Sequence, residues 1–140
     1  MTSDPLRAYR QTRVKTASQG QLIVMLYDEG LKQLRMAESE LGGSQPKLDS
    51  VHNAIVKAQD IITELMVSLD FDQGGDIAQN LFHLYMYFNQ KLVDANLSKD
   101  VAGIAEVHKL MSELREAWAS IENEGAGHPR NVSAGVNLAG

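Results

Sequence analysis

The residues best suited to catalysis or metal binding in this 140-residue sequence are four histidines, His52, His83, His108 and His128. They are scattered along the chain, and none pairs with a second histidine or a carboxylate at a spacing that favours one face of a helix. Glu113 follows His108 by five residues, whereas side chains three or four residues apart are helical neighbours. We therefore interpret these histidines as solvated or core-edge residues rather than as metal ligands or general bases.

A second candidate is the aspartate-rich segment that begins at Asp70. Asp70 and Asp72 occupy the first and third positions of a possible calcium-binding loop, and Gly75 occupies the sixth. Such a loop needs a bidentate glutamate at its twelfth position, where this chain has Leu81. We interpret the segment as a turn, with Asp76 close to a helix N-terminus where a negative charge is favourable.

Other catalytic signatures are missing from the sequence. There is no cysteine, and therefore no thiol nucleophile, disulfide or cysteine-based metal site. The sequence also has no Gly-x-Ser-x-Gly elbow and no phosphate-binding glycine loop. We predict that the protein is not an enzyme and needs no cofactor or metal. A small helical enzyme or metal protein stays open as an alternative, because catalytic groups can converge in space from distant positions.

Length and charge indicate one domain without a membrane or nucleic-acid surface. The apolar runs are too short to span a bilayer, and the N-terminus lacks the pattern of a signal peptide. We therefore expect a cytoplasmic protein without membrane insertion. The formal net charge is −5, and basic residues predominate only within 1–15. The acidic remainder argues against a broad nucleic-acid surface, although the basic arm could contact an acidic partner.

The spacing of apolar residues predicts an all-α fold with four helices. Short connections favour an antiparallel, up-down-up-down four-helix bundle. We expect a flexible N-terminal arm over 1–17, the bundle over 18–122 and a flexible tail over 123–140. The predicted helices cover about 19–41, 46–69, 76–95 and, after Ser98 as N-cap, the segment to about 122.

Two helix ends have clear sequence signals. Ser18 and Gln21 form a possible capping box at the start of the first helix. Gly42 and Gly43 should end that helix, because glycine tolerates the left-handed conformation common after a helix.

Two helices carry more apolar surface than a single bundle contact can cover. Residues 22–27 are all apolar, and the segment 81–88 contains only one polar side chain other than tyrosine, His83. An amphipathic helix usually buries a stripe of about 100°. Tyr27, Tyr85 and Tyr87 fit places with one apolar and one solvated side, as in interfaces. These features predict a hydrophobic binding groove.

The order and spacing of short sequence blocks over about residues 5–122 resemble the bacterial flagellin export chaperones, the FliS family. Two positions depart from the family's pattern. Gln19-Gly20 stands where proline is common, and Gly30 lies one place later than the family's usual glycine. The blocks that carry the resemblance include Leu6-Arg7-Ala8-Tyr9, Val14 to Ser18, Met25-Leu26-Tyr27-Asp28, Ser68-Leu69-Asp70, Gly74-Gly75, Asn80-Leu81, Leu84-Tyr85, Ala95-Asn96, Leu114-Arg115 and Ala117-Trp118.

This resemblance implies a cytoplasmic chaperone that holds the disordered C-terminal segment of flagellin in a hydrophobic groove. Such binding prevents premature polymerisation and delivers flagellin to the flagellar type III export apparatus, whose export gate is a second candidate partner. We expect a monomer or a weak homodimer. A helical adaptor for another secretion or regulatory client is the alternative.

Nine residues are predicted to bind the partner. The resemblance places Leu6 and Tyr9 at an N-terminal apolar pair, which we expect to shield the groove until flagellin displaces it. The other seven are expected to line or support the groove: Ile23, Leu26, Tyr27, Ile61, Leu65, Tyr85 and Trp118.

Overall fold

The computed structural model describes residues 18–127, which form four helices and contain no strand. The helices are α1 (Gln19–Leu41), α2 (Leu48–Val67), α3 (Phe71–Ser98) and α4 (Val101–Gly127). The predicted all-α class is confirmed.

Each helix packs against the next one in the chain, and α4 closes the bundle by packing against α1. Short connections join the helices, so neighbours run antiparallel in the predicted up-down-up-down order. α1 has the most extensive contacts, with α2 and α4, whereas α3 contacts its two neighbours more sparsely. The outer side of α3 accordingly exposes large apolar residues, Met86, Tyr87, Val93 and Leu97.

The core runs along the bundle axis and consists of aliphatic and aromatic residues from all four helices. Burial of such side chains supplies the main favourable free energy of folding. The largest fully buried side chains are Tyr27, Leu34, Val51, Ile55, Ile62, Leu65, Tyr85, Phe88, Leu92, Ile104, Val107 and Met111.

The start of α1 is as predicted, but its end is stabilised differently. The Ser18 hydroxyl accepts a hydrogen bond from the Gln21 backbone N–H, and the Gln21 side chain accepts one from the Ser18 backbone N–H. Gly42 caps the other end in a right-handed conformation, with φ −78° and ψ −8°. The expected left-handed glycine is therefore wrong here, because the Gly42 N–H already reaches the Glu38 carbonyl without that conformation.

α3 begins earlier than predicted and contains a kink. The Asp70 carboxylate caps it by accepting a hydrogen bond from the Gln73 N–H at 3.0 Å. One helical turn follows, and the helix then changes direction at Gly75, whose φ of 52° and ψ of −124° are not helical. The proposed turn at Asp70 to Gly75 is thus a capped helical turn that ends in a single glycine kink.

The connection between α3 and α4 is also shorter than predicted. α3 continues through Ser98, whose hydroxyl donates back to the Asp94 carbonyl at 3.1 Å. Lys99 then adopts a left-handed conformation, and the Asp100 carboxylate accepts a hydrogen bond from the Ala102 N–H at 3.0 Å. The prediction of Ser98 as N-cap is therefore wrong, since Asp100 supplies the acceptor at this helix start.

The last helix extends beyond the predicted bundle boundary at 122, because α4 continues to Gly127. Residues 123–127 are therefore helical, and the flexible tail expected over 123–140 stays a prediction. No proline interrupts this segment.

We expect Gly75→Ala to destabilise the protein by about 1–3 kcal/mol, the usual cost of a strained backbone conformation. A Cβ at Gly75 would meet no atom within 4 Å, so the cost would be conformational rather than steric. Urea denaturation followed by circular dichroism measures it. Gly43→Ala is the matched control, because Gly43 lacks a positive φ, and it should leave stability unchanged or slightly raised. Equal stabilities of the two variants would contradict the kink geometry.

Candidate functional site

A cleft of about 300 Å³ opens at the end of the bundle where α1 begins, α2 ends, α3 begins and α4 approaches its C-terminus. This volume lies at the lower end of ligand pockets, which span about 300–1,000 Å³. The lining residues are Gln19, Gly20, Ile23, Ser68, Leu69, Asp70, Gln73, Gly74, Ile77, Ala78, Leu81, Tyr85, Trp118, Ile121 and Glu122.

The interior of the cleft is mainly apolar, and its polar side chains come from the helix ends. Ser18 ties the start of α1 to α4 by donating its hydroxyl to the Glu122 carboxylate at 2.6 Å. Gly20 permits this approach, because a Cβ there would lie 1.9 Å from the other Glu122 oxygen. Asp70 and Glu122 are the charged lining residues in the part of the chain that the structure describes, so this part of the rim is acidic.

Two buried tyrosines and a tryptophan form a polar cluster beside the apolar interior. The Tyr27 and Tyr85 hydroxyls share a hydrogen bond of 2.5 Å. Burial raises the pKa of Tyr85 to about 12 and raises that of Tyr27 still further. The Trp118 indole N–H lies beside the Tyr27 hydroxyl and slightly opposes the rise in the Tyr27 pKa, although it does not reach hydrogen-bond geometry.

Those raised pKa values predict a loss of stability at alkaline pH. Unfolded tyrosines titrate near pH 10, whereas folded Tyr27 and Tyr85 keep their protons to higher pH. The folded state therefore binds more protons above about pH 10, and the stabilisation, complete below that pH, is lost as the pH rises towards 12 and beyond. The slope approaches about 2.7 kcal/mol per pH unit when both tyrosines contribute.

Urea denaturation between pH 8 and 12 measures this loss. The double variant Tyr27→Phe plus Tyr85→Phe is the control, because removing both hydroxyls together leaves neither partner unpaired. It should lose less stability over the same range. Parallel pH profiles for the two proteins would contradict the assigned tyrosine pKa shifts.

The structure brings together only part of the predicted groove. Ile23, Tyr85 and Trp118 line the cleft, and Tyr27 supports it through Tyr85. Leu65 is 1% exposed and lies in the core. Ile61 is buried against Gly30, and Leu26 packs against the core at its edge. Leu6 and Tyr9 lie outside the described residues.

Sequence reasoning did not assign a binding role to most of the apolar lining. Ile77 and Leu81 belong to the apolar stripe predicted for the third helix, and Ile121 belongs to that of the fourth, so their signal was present. Leu69 closes the predicted second helix. These four residues lie at the end of the bundle where the cleft opens. Their place along the helices was the signal that the sequence prediction did not use.

Two of the histidines, His52 and His108, contact separate partners and do not share a site. The Asn96 amide lies 2.9 Å from His52 Nδ1, and His108 Nδ1 lies 3.1 Å from a Glu38 carboxylate oxygen. Among the side chains of residues 18–123, no three histidine or acidic groups are placed together as metal ligands. No helix in this range is long and apolar enough to cross a membrane.

Comparison with known proteins gives consistent matches along the chain. The family model described as "Flagellar protein FliS" matches residues 2–125. The flagellar secretion chaperone FliS of Salmonella typhimurium is 38% identical over 125 residues, covering 86% of this chain and 91% of the relative. That of Bacillus subtilis is 32% identical over 115 residues, covering 82% and 84%. That of Escherichia coli is 37% identical over 109 residues, covering 77% and 79%.

Proposed function

This chain belongs to the FliS family of flagellar proteins, and we propose that it binds the C-terminal segment of flagellin in the cleft at the open end of the bundle. Its relatives are flagellar secretion chaperones, and this chain acts in the same role. In the proposal, binding takes place in the cytoplasm, prevents flagellin from polymerising early and delivers it to the export apparatus.

The observation that carries the flagellin proposal is the apolar cleft itself. Ile23, Ile77 and Leu81 come from two helices and, with Ile121 of α4, form a continuous surface open to solvent. Amphipathic segments bind such surfaces with apolar side chains at helical spacing. Filling the cleft with apolar groups of a client would remove this surface from water, which is favourable.

The cleft alone is too small to hold a whole segment. A disordered segment that folds on binding spends about 2–5 kcal/mol or more on ordering. Exposed apolar residues on the outer side of α3, including Met86 and Val93, provide further surface. We propose that the client anchors in the cleft and continues along α3. This extension accounts for the apolar excess predicted for the third helix.

Titration calorimetry with the C-terminal segment of flagellin from the same bacterium tests this proposal. We expect 1:1 binding with a clearly negative heat-capacity change, the mark of apolar burial. A folded protein that gives no binding heat at several temperatures would reject flagellin as client. A panel of other secreted and regulatory proteins from the same bacterium would then test the alternative of an adaptor for a different client.

The proposal also includes the N-terminal residues Leu6 and Tyr9, on the strength of the family resemblance alone. We expect the double variant Leu6→Ala plus Tyr9→Ala to change flagellin affinity or the stability of the free protein, because the pair would shield the groove. Calorimetry and thermal unfolding measure the two quantities. No effect on either one would exclude a role for the pair.

A further inference from the structure

The polar cluster beside the cleft contains more hydrogen-bond donors than acceptors can pair. Trp118 Nε1 is buried and has no hydrogen-bond partner among the side chains of residues 18–123 or the described backbone. The Tyr27 and Tyr85 hydroxyls bond to one another, and either can be the donor. Each hydroxyl has one proton, so the hydroxyl that accepts keeps its own proton. Among the side chains of residues 18–123, none accepts that second proton.

A small movement of the Trp118 side chain would not remove the excess of hydrogen-bond donors over acceptors. If the Trp118 N–H moved onto the Tyr27 oxygen, the indole would be paired, but one tyrosine proton would still lack an acceptor. Buried polar groups are nearly always hydrogen-bonded in folded proteins, and phenylalanine could fill the same space without a hydroxyl. Water can supply an acceptor while the cleft is open to solvent, so an occupant that excludes water must supply the acceptor itself.

The position of the donors indicates where the acceptor enters. Tyr85 and Trp118 both line the cleft. We infer that the cleft is not a purely apolar site, and that its occupant places one neutral oxygen against the Trp118 N–H and the free tyrosine proton. This inference rests on the proposed function, because it takes the occupant to be the flagellin segment.

The surroundings restrict the chemistry of that oxygen. Among the residues that the structure describes, the charged lining residues are Asp70 and Glu122, both acidic, so a carboxylate would be repelled by them. Within a bound helix the main-chain carbonyls are already paired, apart from those of the last turn. The oxygen therefore belongs to a side-chain amide or hydroxyl, or to a carbonyl at the end of a helix. A segment with only aliphatic side chains at this point would bind more weakly.

One substitution removes the indole donor and keeps the shape of the ring. Trp118 is the only tryptophan, so biosynthetic replacement of tryptophan by benzothienylalanine alters only this site and exchanges the N–H for sulfur. We expect the full-length variant to bind the flagellin C-terminal segment about tenfold more weakly, the effect of losing one buried hydrogen bond. We also expect its melting temperature to stay the same or rise, because an unpaired buried donor has been removed.

Two results would overturn the inference. Unchanged affinity for the flagellin segment would mean that no acceptor meets the indole. A lower melting temperature of the free variant would mean that the indole N–H is already paired within the chain. Ser39→Ala is the control, because Ser39 is exposed near the far end of α1 and does not line the cleft, and it should leave flagellin affinity unchanged.

Nuclear magnetic resonance of the unmodified protein provides an independent readout. A single tryptophan gives one indole ¹H–¹⁵N resonance, and saturation with the flagellin segment should slow its exchange with solvent. Exchange that does not slow would contradict the inference. If the unmodified protein does not bind the segment at all, the proposed function fails, whereas the melting temperature of the variant still decides whether the indole donor is unpaired.

Discussion

Ile77→Glu is expected to weaken binding of the flagellin C-terminal segment by at least about 100-fold, equivalent to about 2.7 kcal/mol. Ile77 lines the cleft and is partly buried against the core. A glutamate there would meet the carboxylates of Asp70 and Glu122, the charged lining residues within 18–123. Bound client would cover the new charge, and burial of an unpaired carboxylate costs several kcal/mol.

Calorimetric titration of the variant with the flagellin segment tests this expectation. Ile77→Ala and Met36→Glu are titrated for comparison. Ile77→Ala removes apolar contact without adding charge and should reduce affinity by a smaller factor. Met36 is 52% exposed on α1 and does not line the cleft, so Met36→Glu should bind as tightly as the unmodified protein. If Ile77→Glu binds normally while it stays folded, the client does not occupy the cleft.

The fold was predictable because helical periodicity depends on local sequence. The capping box at Ser18 and the bounds of α1 follow from neighbouring residues and were predicted correctly. The starts of the last two helices were not, since each segment offers competing caps. Ser98 and Asp100 could both begin α4, and only the packing of α3, which continues through Ser98, decides between them.

The candidate site was harder to predict for a geometric reason. The cleft is lined by residues from all four helices near one end of the bundle. The distances between these residues along the sequence do not show that they lie together in the fold. Ile23 and Trp118 were predicted to line or support the groove, and in the structure both line the cleft. Leu65 has the same helical pattern but lies in the core. A stripe of apolar residues identifies the inward face of a helix. It does not show where along that face the bundle opens.

The sequence departure at Gly30 has a structural consequence that predicts a large effect on stability. Gly30 lies where α1 approaches both α2 and α4, and a Cβ there would come within 3.2 Å of Ile61 Cγ2 and of Met111 Cε. Gly30→Ala should change stability by less than about 1 kcal/mol, because alanine's higher helix propensity offsets the tight contact. Gly30→Leu must push larger groups into filled space and should destabilise by about 3 kcal/mol or more.

Urea denaturation of the two variants, with Gly42→Leu as control, measures this difference. Gly42 is exposed at the end of α1, and an added Cβ would meet only backbone oxygens at 3.4 Å or more, so leucine there should change stability by about 0.5 kcal/mol or less. The same helix carries Ile23 into the cleft, so Gly30→Ala should also retain flagellin binding. A stable Gly30→Leu variant would mean that α1 lies farther from α2 and α4 than the structure places it. The positions of the α1 residues that line the cleft would then also be incorrect.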